Sequence, residues 1–182
     1  MEYPSKWISL PNGKNVLFRA PAPADSPAMI EYLKLTAGET DFLSRRPGER
    51  HITVEQEERY LQSTLDSPGQ VMIVCEADGI MVGNCQVVRG ATEKTAHRAT
   101  FMIGLRKAYW HMGIGSRMFD ELIALAAAMG CTQAELQVVA GNTRAQGLYR
   151  KKGFRVVGEI PNAFQMLDGS YQGERYMVRP LP

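Results

Sequence analysis

Cysteine, histidine and net charge are all scarce in this chain. Three cysteines stand among the 182 residues, Cys75, Cys85 and Cys131, none in a Cys-x-x-Cys spacing. An odd count leaves one over whatever pairs, so the expectation is reduced, buried thiols and no disulfide framework. The three histidines, His51, His97 and His111, are scattered without a shared ligand spacing, and no metal site is expected. Twenty-one Lys and Arg against nineteen Asp and Glu leave a net charge of +2. That excludes whole-molecule attraction to nucleic acid or an anionic membrane, so any anion must be bound locally. No run approaches the ~20 apolar residues of a membrane span. The start, Met1 to Trp7, has neither the basic residues nor the apolar stretch of a signal peptide, so a cytoplasmic protein is expected. Repeats and low-complexity blocks are absent, and the Pro-rich stretch Ala20–Ala24 is too short to separate domains.

What remains is an ordinary globular composition, 45% hydrophobic and 22% charged, that reads as one domain over residues 1–182. Asn15 to Arg19 is a strand candidate. Asp25-Ser26-Pro27 supplies a cap and an early proline for a helix with Met29, Ile30 and Leu33 on one face. Ala37 to His51 has no clear period and reads as a surface loop. Thr53-Val54-Glu55-Gln56 has the form of a capping box, and Val54, Leu61 and Leu65 continue a helical stripe until Ser67-Pro68-Gly69. From Val71 the period becomes that of strands, with Asp78-Gly79 as a tight turn between Val71–Ala77 and Ile80–Val88. A two-residue turn there sets Cys75 opposite Val82, not Cys85, which argues against a hairpin disulfide. His97 to Leu105 alternates as a further strand, with Ala99, Phe101, Ile103 and Leu105 on one face.

The most informative segment follows. Tyr109-Trp110-His111-Met112-Gly113-Ile114-Gly115-Ser116 lies between that strand and a helix carrying Met118, Leu122, Leu125 and Met129, stopped by Gly130. Glycines let main chain approach a ligand, and the first N–H groups of a helix point outward with its positive dipole end, so a pyrophosphate fits there without a lysine. A dinucleotide fingerprint would need glycine where Met118 stands, and a P-loop would need Gly-Lys before Ser or Thr; neither is present. Thr132 to Val139 alternates as another strand, Asn142 caps a helix closed by Gly153, and Phe154–Val157 with Arg175–Val178 make a final strand pair.

Gly113-Ile114-Gly115 opening a helix after a strand, followed by Asn142, Ala145, Leu148-Tyr149, Lys152 and Gly153-Phe154, resembles the GCN5-related N-acetyltransferase (GNAT) superfamily, most closely from Val71 to Val157. The resemblance implies an α/β fold of the α+β kind: a mixed, mostly antiparallel central sheet, helices on both faces, and a parallel strand pair, here ending at Leu105 and Val139, that splays to admit acetyl-CoA as co-substrate. It also implies cofactor contacts. Main-chain groups of Ile103, Gly104 and Leu105 would hold the pantetheine arm, and amides of His111, Met112, Gly113, Ile114, Gly115 and Ser116 the pyrophosphate. Asn142 would contact the cofactor from the second strand, and Tyr149 would face the thioester sulfur and protonate it as coenzyme A departs. Lys151, with Arg144 and Lys152, is a candidate for the 3′-phosphate.

Two departures from the family pattern stand out. Trp110 occupies a place where the family's turn usually begins with Gln or Arg, and the strand His97–Leu105 lacks the Glu that serves many relatives as base or water-holder. His97, with an intrinsic pKa near neutrality, is the candidate base. The expected reaction is direct attack of a primary amine on acetyl-CoA in a ternary complex, the acceptor being a small molecule or a protein α-amine. A non-catalytic acetyl-CoA-binding module and a transferase of another acyl group are the alternatives. Ala37–His51 and Asn162–Gly173 are the segments expected to form the acceptor pocket, with Glu39 and Asp41 available to a cation; a homodimer is left open.

Overall fold

The computed structural model describes residues 3–49 and 51–182. Met1, Glu2 and the Arg50 position of the surface loop lie outside the described residues. The strands are β1 (Lys6–Ser9), β2 (Asn15–Arg19), β3 (Gln70–Ala77), β4 (Ile80–Arg89), β5 (Arg98–Leu105), β6 (Gln133–Val139), β7 (Arg155–Gln165) and β8 (Tyr171–Pro180). The helices are α1 (Ser26–Glu39), α2 (Val54–Asp66), α3 (Ile114–Ala128) and α4 (Thr143–Lys151). All eight strands form one sheet in the order β1-β2-β3-β4-β5-β6-β8-β7, antiparallel throughout except for the β5–β6 pair.

Alternation along β3 explains the layering. Val71, Ile73 and Cys75 face one side, where Ile114, Met118, Phe119 and Leu122 of α3 and Tyr149 of α4 close the larger core. Met72 and Val74 face the other, where Met29 and Tyr32 of α1 and Leu61 of α2 form a smaller one. Helices therefore cover both faces, as the family resemblance implies. The smaller core ends at β4. Beyond it the same face is open, and Met102 on β5 is 45% exposed.

Local chemistry places the ends of the helices. Thr53 Oγ1 accepts the Gln56 N–H at 3.2 Å while Gln56 Oε1 accepts the Thr53 N–H at 3.0 Å, the reciprocal capping box read from the sequence. α1 runs on through Glu39, so Ala37–Glu39 is helix, and its buried face is Met29, Tyr32 and Thr36; Ile30 and Leu33 are half-buried. Thr36 is tolerated there because its hydroxyl donates to the Tyr32 C=O at 2.8 Å.

The hairpin register differs from expectation. A bulge between Cys75 and Glu76 sets Cys75 opposite Gly83, not Val82, because the extra residue shifts every pair beyond it by one. All three cysteines are free and buried. The sequence reading also missed β1 and gave β7 and β8 four residues each, where they run to 11 and 10. β7 is an edge strand, exposed along nearly its whole length and interrupted by irregularities at Val156/Gly158 and Ile160/Phe164.

Candidate active site

The parallel ladder joining β5 to β6 has only three rungs, Arg98↔Gln133, Ala99↔Ala134 and Thr100↔Glu135. Past Thr100 the two strands part, while β5 stays paired with β4 as far as Gly83↔Leu105. The Arg106 N–H donates to the Val82 C=O, and the Gly90 N–H to the Arg98 C=O, each at 2.9 Å. Antiparallel alternation then turns the main-chain groups of even-numbered β5 residues toward β4 and those of Ile103 and Leu105 toward the gap. Gly104 thus serves the β4 ladder, and a Cβ there would lie 2.6 Å from the Tyr32 hydroxyl. The Leu105 C=O accepts the Trp110 indole N–H at 2.8 Å. The Ile103 N–H and C=O and the Leu105 N–H remain directed into the gap.

The turn after β5 is bent by backbone that glycine favours. Gly113 has φ +89° and His111 φ +62°, and the first intrahelical bond of α3 runs from the Arg117 N–H to the Gly113 C=O at 3.2 Å. The N–H groups from Met112 to Ser116 lie ahead of that bond, at the positive end of a 15-residue helix. Ile114 is fully buried and Met112 packs on the core, so side chains anchor the turn inward. Gly115 has a different role: a Cβ there would lie 3.2 Å from Leu148 Cδ2, so its absence lets α3 and α4 approach.

α4 forms the second wall. Asn142 Oδ1 accepts the Ala145 N–H at 3.1 Å, which commits one lone pair of that oxygen to the cap and leaves the NH2 group available to a ligand. Gln146, 1% exposed, donates to the Ala140 C=O at 2.8 Å and accepts from Arg175 at 2.7 Å, locking the helix to the end of β6 and to β8. Tyr149 packs on Phe119 with ring centroids 5.0 Å apart. Among the described residues its hydroxyl has no hydrogen-bond partner, and burial pushes its pKa up to about 12 while the positive charge of Arg144 acts downward. Lys152 pairs with Asp120 of α3 at 2.5 Å, whereas Lys151 is exposed and has no recorded partner among the described residues. The Arg144 guanidinium carbon sits 3.4 Å above the centre of the Trp110 ring.

The structure therefore brings Ile103, Leu105, the 111–116 turn, Asn142 and Tyr149 around one gap, with Lys151 at the far end of α4. His97 stands apart. It is an exposed residue at the closed end of the β5–β6 pair, where its C=O accepts the Thr132 N–H at 2.8 Å. Six residues at a strand rise of about 3.3 Å place it roughly 20 Å from Ile103.

The open face of the sheet carries groups that the sequence reading passed over. Glu135, on the last rung before the strands part, receives Arg98 Nη2 at 2.7 Å and lies 3.4 Å from the Thr100 hydroxyl. Gln137, exposed, is opposite Tyr176. Glu39 is engaged internally, accepting the Lys107 N–H at 2.6 Å and Arg106 at 3.3 Å. Asp41 accepts the Leu167 N–H at 3.0 Å and Arg46 donates to the Gln165 C=O at 2.9 Å, so the α1–α2 loop and the β7–β8 turn meet.

The sequence profile of the acetyltransferase (GNAT) family matches residues 37–154. An uncharacterised N-acetyltransferase of Mycobacterium tuberculosis is 26% identical over 117 residues, 64% of this chain and 71% of its own length. The crystal structure of a GNAT-family acetyltransferase from Streptococcus pneumoniae superposes with a TM-score of 0.85 at 26% identity, covering 91% of this chain and 99% of that one. The putative acetyltransferase yncA of Salmonella typhimurium, solved with its cofactor acetyl-CoA, superposes with a TM-score of 0.79 over 92% and 95% of the two chains; at 17% identity it bears on the fold alone.

Proposed function

This chain belongs to the acetyltransferase (GNAT) family, and from that premise we propose that it is a single-domain, cytoplasmic N-acetyltransferase moving the acetyl group of acetyl-CoA to a primary amine. The observation that carries the reading is the gap itself: unpaired main-chain donors of β5 and of the glycine turn on one wall, and on the other a phenol whose hydroxyl has no hydrogen-bond partner among the described residues.

The residues present fit the co-substrate. The Met112 to Ser116 amides suit its pyrophosphate, the Ile103 and Leu105 groups its pantetheine amides, the Asn142 NH2 a pantetheine carbonyl, and Lys151 a terminal phosphate. Acetyl-CoA supplies an acyl group already activated as a thioester. The chain's contribution is positional and electrostatic. The Ile103 N–H is directed where it polarises the thioester carbonyl, and the Tyr149 hydroxyl donates its proton to the departing sulfur. An alkyl amine, with a pKa of ~10.4, must lose a proton before attack, and Glu135 receives it through water from the open sheet face. Arg98 holds that carboxylate in place at 2.7 Å. In this proposal the neighbouring strand supplies the carboxylate that β5 lacks.

Purified protein incubated with acetyl-CoA and a panel of small amines and N-terminal peptides, with thiol release followed, tests the reading. Release that requires an acceptor supports it. Tight binding without release would instead indicate a non-catalytic acetyl-CoA module, and release only with longer acyl-CoA would indicate another acyl donor.

A further inference from the structure

Among the described residues, Arg19, Arg98, Arg106 and Arg175 each hold a carboxylate. Arg144, exposed on α4, holds none and donates no hydrogen bond to another described residue; its guanidinium lies 3.4 Å over the Trp110 ring, with the Tyr149 phenol nearby. A guanidinium whose carbon lies that close over a ring centre uses the ring as a seat without spending its N–H donors, which stay available as a fork that matches two phosphate oxygens. The ring is not free to swing, because its N–H is bonded to the Leu105 C=O at 2.8 Å. Trp110 is also the residue immediately before the turn whose Met112 to Ser116 amides lie ahead of the α3 bonds. A cation from α4 is thus held, without a counter-ion among the described residues, beside an array of unpaired main-chain donors on the other wall of the gap.

We propose that Arg144, seated on Trp110, is the side-chain ligand of the cofactor's diphosphate, and that the two residues act as one unit. This rests on the acetyl-CoA reading above and deepens it. Trp110 carries no charge of its own; it works as a platform that lets a residue 34 positions away in sequence supply the charge. Diphosphate binding then ties α4 to the β5–α3 turn, so both walls contribute to affinity although only one provides main-chain donors.

Calorimetric titration with coenzyme A and with dephospho-coenzyme A, which lacks the 3′-phosphate, tests this on the full chain. Arg144→Gln should weaken both nucleotides equally, by about tenfold to a hundredfold, the range for a charge-assisted hydrogen bond. Trp110→Ala should cost a similar factor, and the double variant should be no worse than the poorer single one, because the platform is useless without its cation. Unchanged affinity in Arg144→Gln would overturn the proposal. So would a loss confined to coenzyme A, which would assign Arg144 to the 3′-phosphate, or fully multiplicative losses in the double variant. Arg144 lies at the surface of α4, and its substitution leaves the Asn142 cap intact, so this variant remains informative if Trp110→Ala folds poorly. Failure of the unaltered protein to bind either nucleotide would remove the cofactor reading itself, and this inference with it.

Discussion

Tyr149 shows how much a single hydroxyl can be asked to do. Its ring belongs to a cluster with Phe119 and Phe154, so the side chain is held whatever the hydroxyl does. Tyr149→Phe is therefore expected to keep its melting temperature and its affinity for acetyl-CoA, while kcat falls by about a hundredfold or more, the usual worth of a placed acid. Calorimetry beside steady-state kinetics separates the two effects, and a variant with full turnover would remove the phenol from catalysis. Glu135→Gln gives a different signature. With an alkyl amine, kcat/KM at pH 7 should drop by about a hundredfold, and with an α-amine of pKa ~7.7, which needs less help, by much less. Between pH 7 and 9 the defect with the alkyl amine should shrink by up to tenfold per unit as the free amine fraction rises. An equal loss for both acceptors at every pH would mean that Glu135 merely holds Arg98 in place. The groups around Glu135 are Arg98 and Thr100 on β5 and Val178 on β8, with Tyr176 and Glu174 further along β8 on the same face.

At the scale of elements, what could be read in advance was whatever the chain specifies locally. The glycine turn, the Asn142 cap and the Thr53 capping box depend on residues within a few positions of one another, and each stands where the spacing places it. Thr53→Ala removes one partner of that box and should cost about 1 kcal/mol by urea denaturation, with acetyl-CoA binding unaffected. Elements imposed by partners were not legible. β7 contains Gly158, Pro161 and Asn162 and has no clean alternation; its pairing with β8 makes it a strand. The Cys75 bulge, the rung joining Thr100 to Glu135 and the stacking of Arg144 on Trp110 are all cross-chain matters of register or docking, which no local pattern encodes. His97 was attractive by residue type alone, and distance along β5 separates it from the gap.

For the whole molecule, burial of weakly acidic groups sets how stability responds to base. Burial pushes the Cys75 thiol up to about 12, holds Cys85 well above the usual thiol range and raises Tyr32. In each case the folded state keeps a proton that the unfolded chain has already released, so unfolding liberates protons and stability declines as pH rises. The decline begins near pH 8.5 to 9, where unfolded thiols ionise, and for Cys75 continues to about 12. Its slope is about 1.4 kcal/mol per pH unit for each group in play. The urea midpoint should accordingly be level from pH 6 to 8 with respect to these groups and clearly lower at pH 10; a flat profile through pH 10 would mean that the thiols meet water.

The outer margin of the sheet carries one more implication. β7 leaves its far side without a neighbour and bears Val157 and Ile160 at 55% and 47% exposure, a surface that in an unbroken strand would template fibrils. Two irregularities and Pro161 interrupt the row of donors and acceptors that an incoming chain would have to match. The features that hid this strand from a reading of the sequence are thus the ones that protect concentrated protein from stacking copy upon copy.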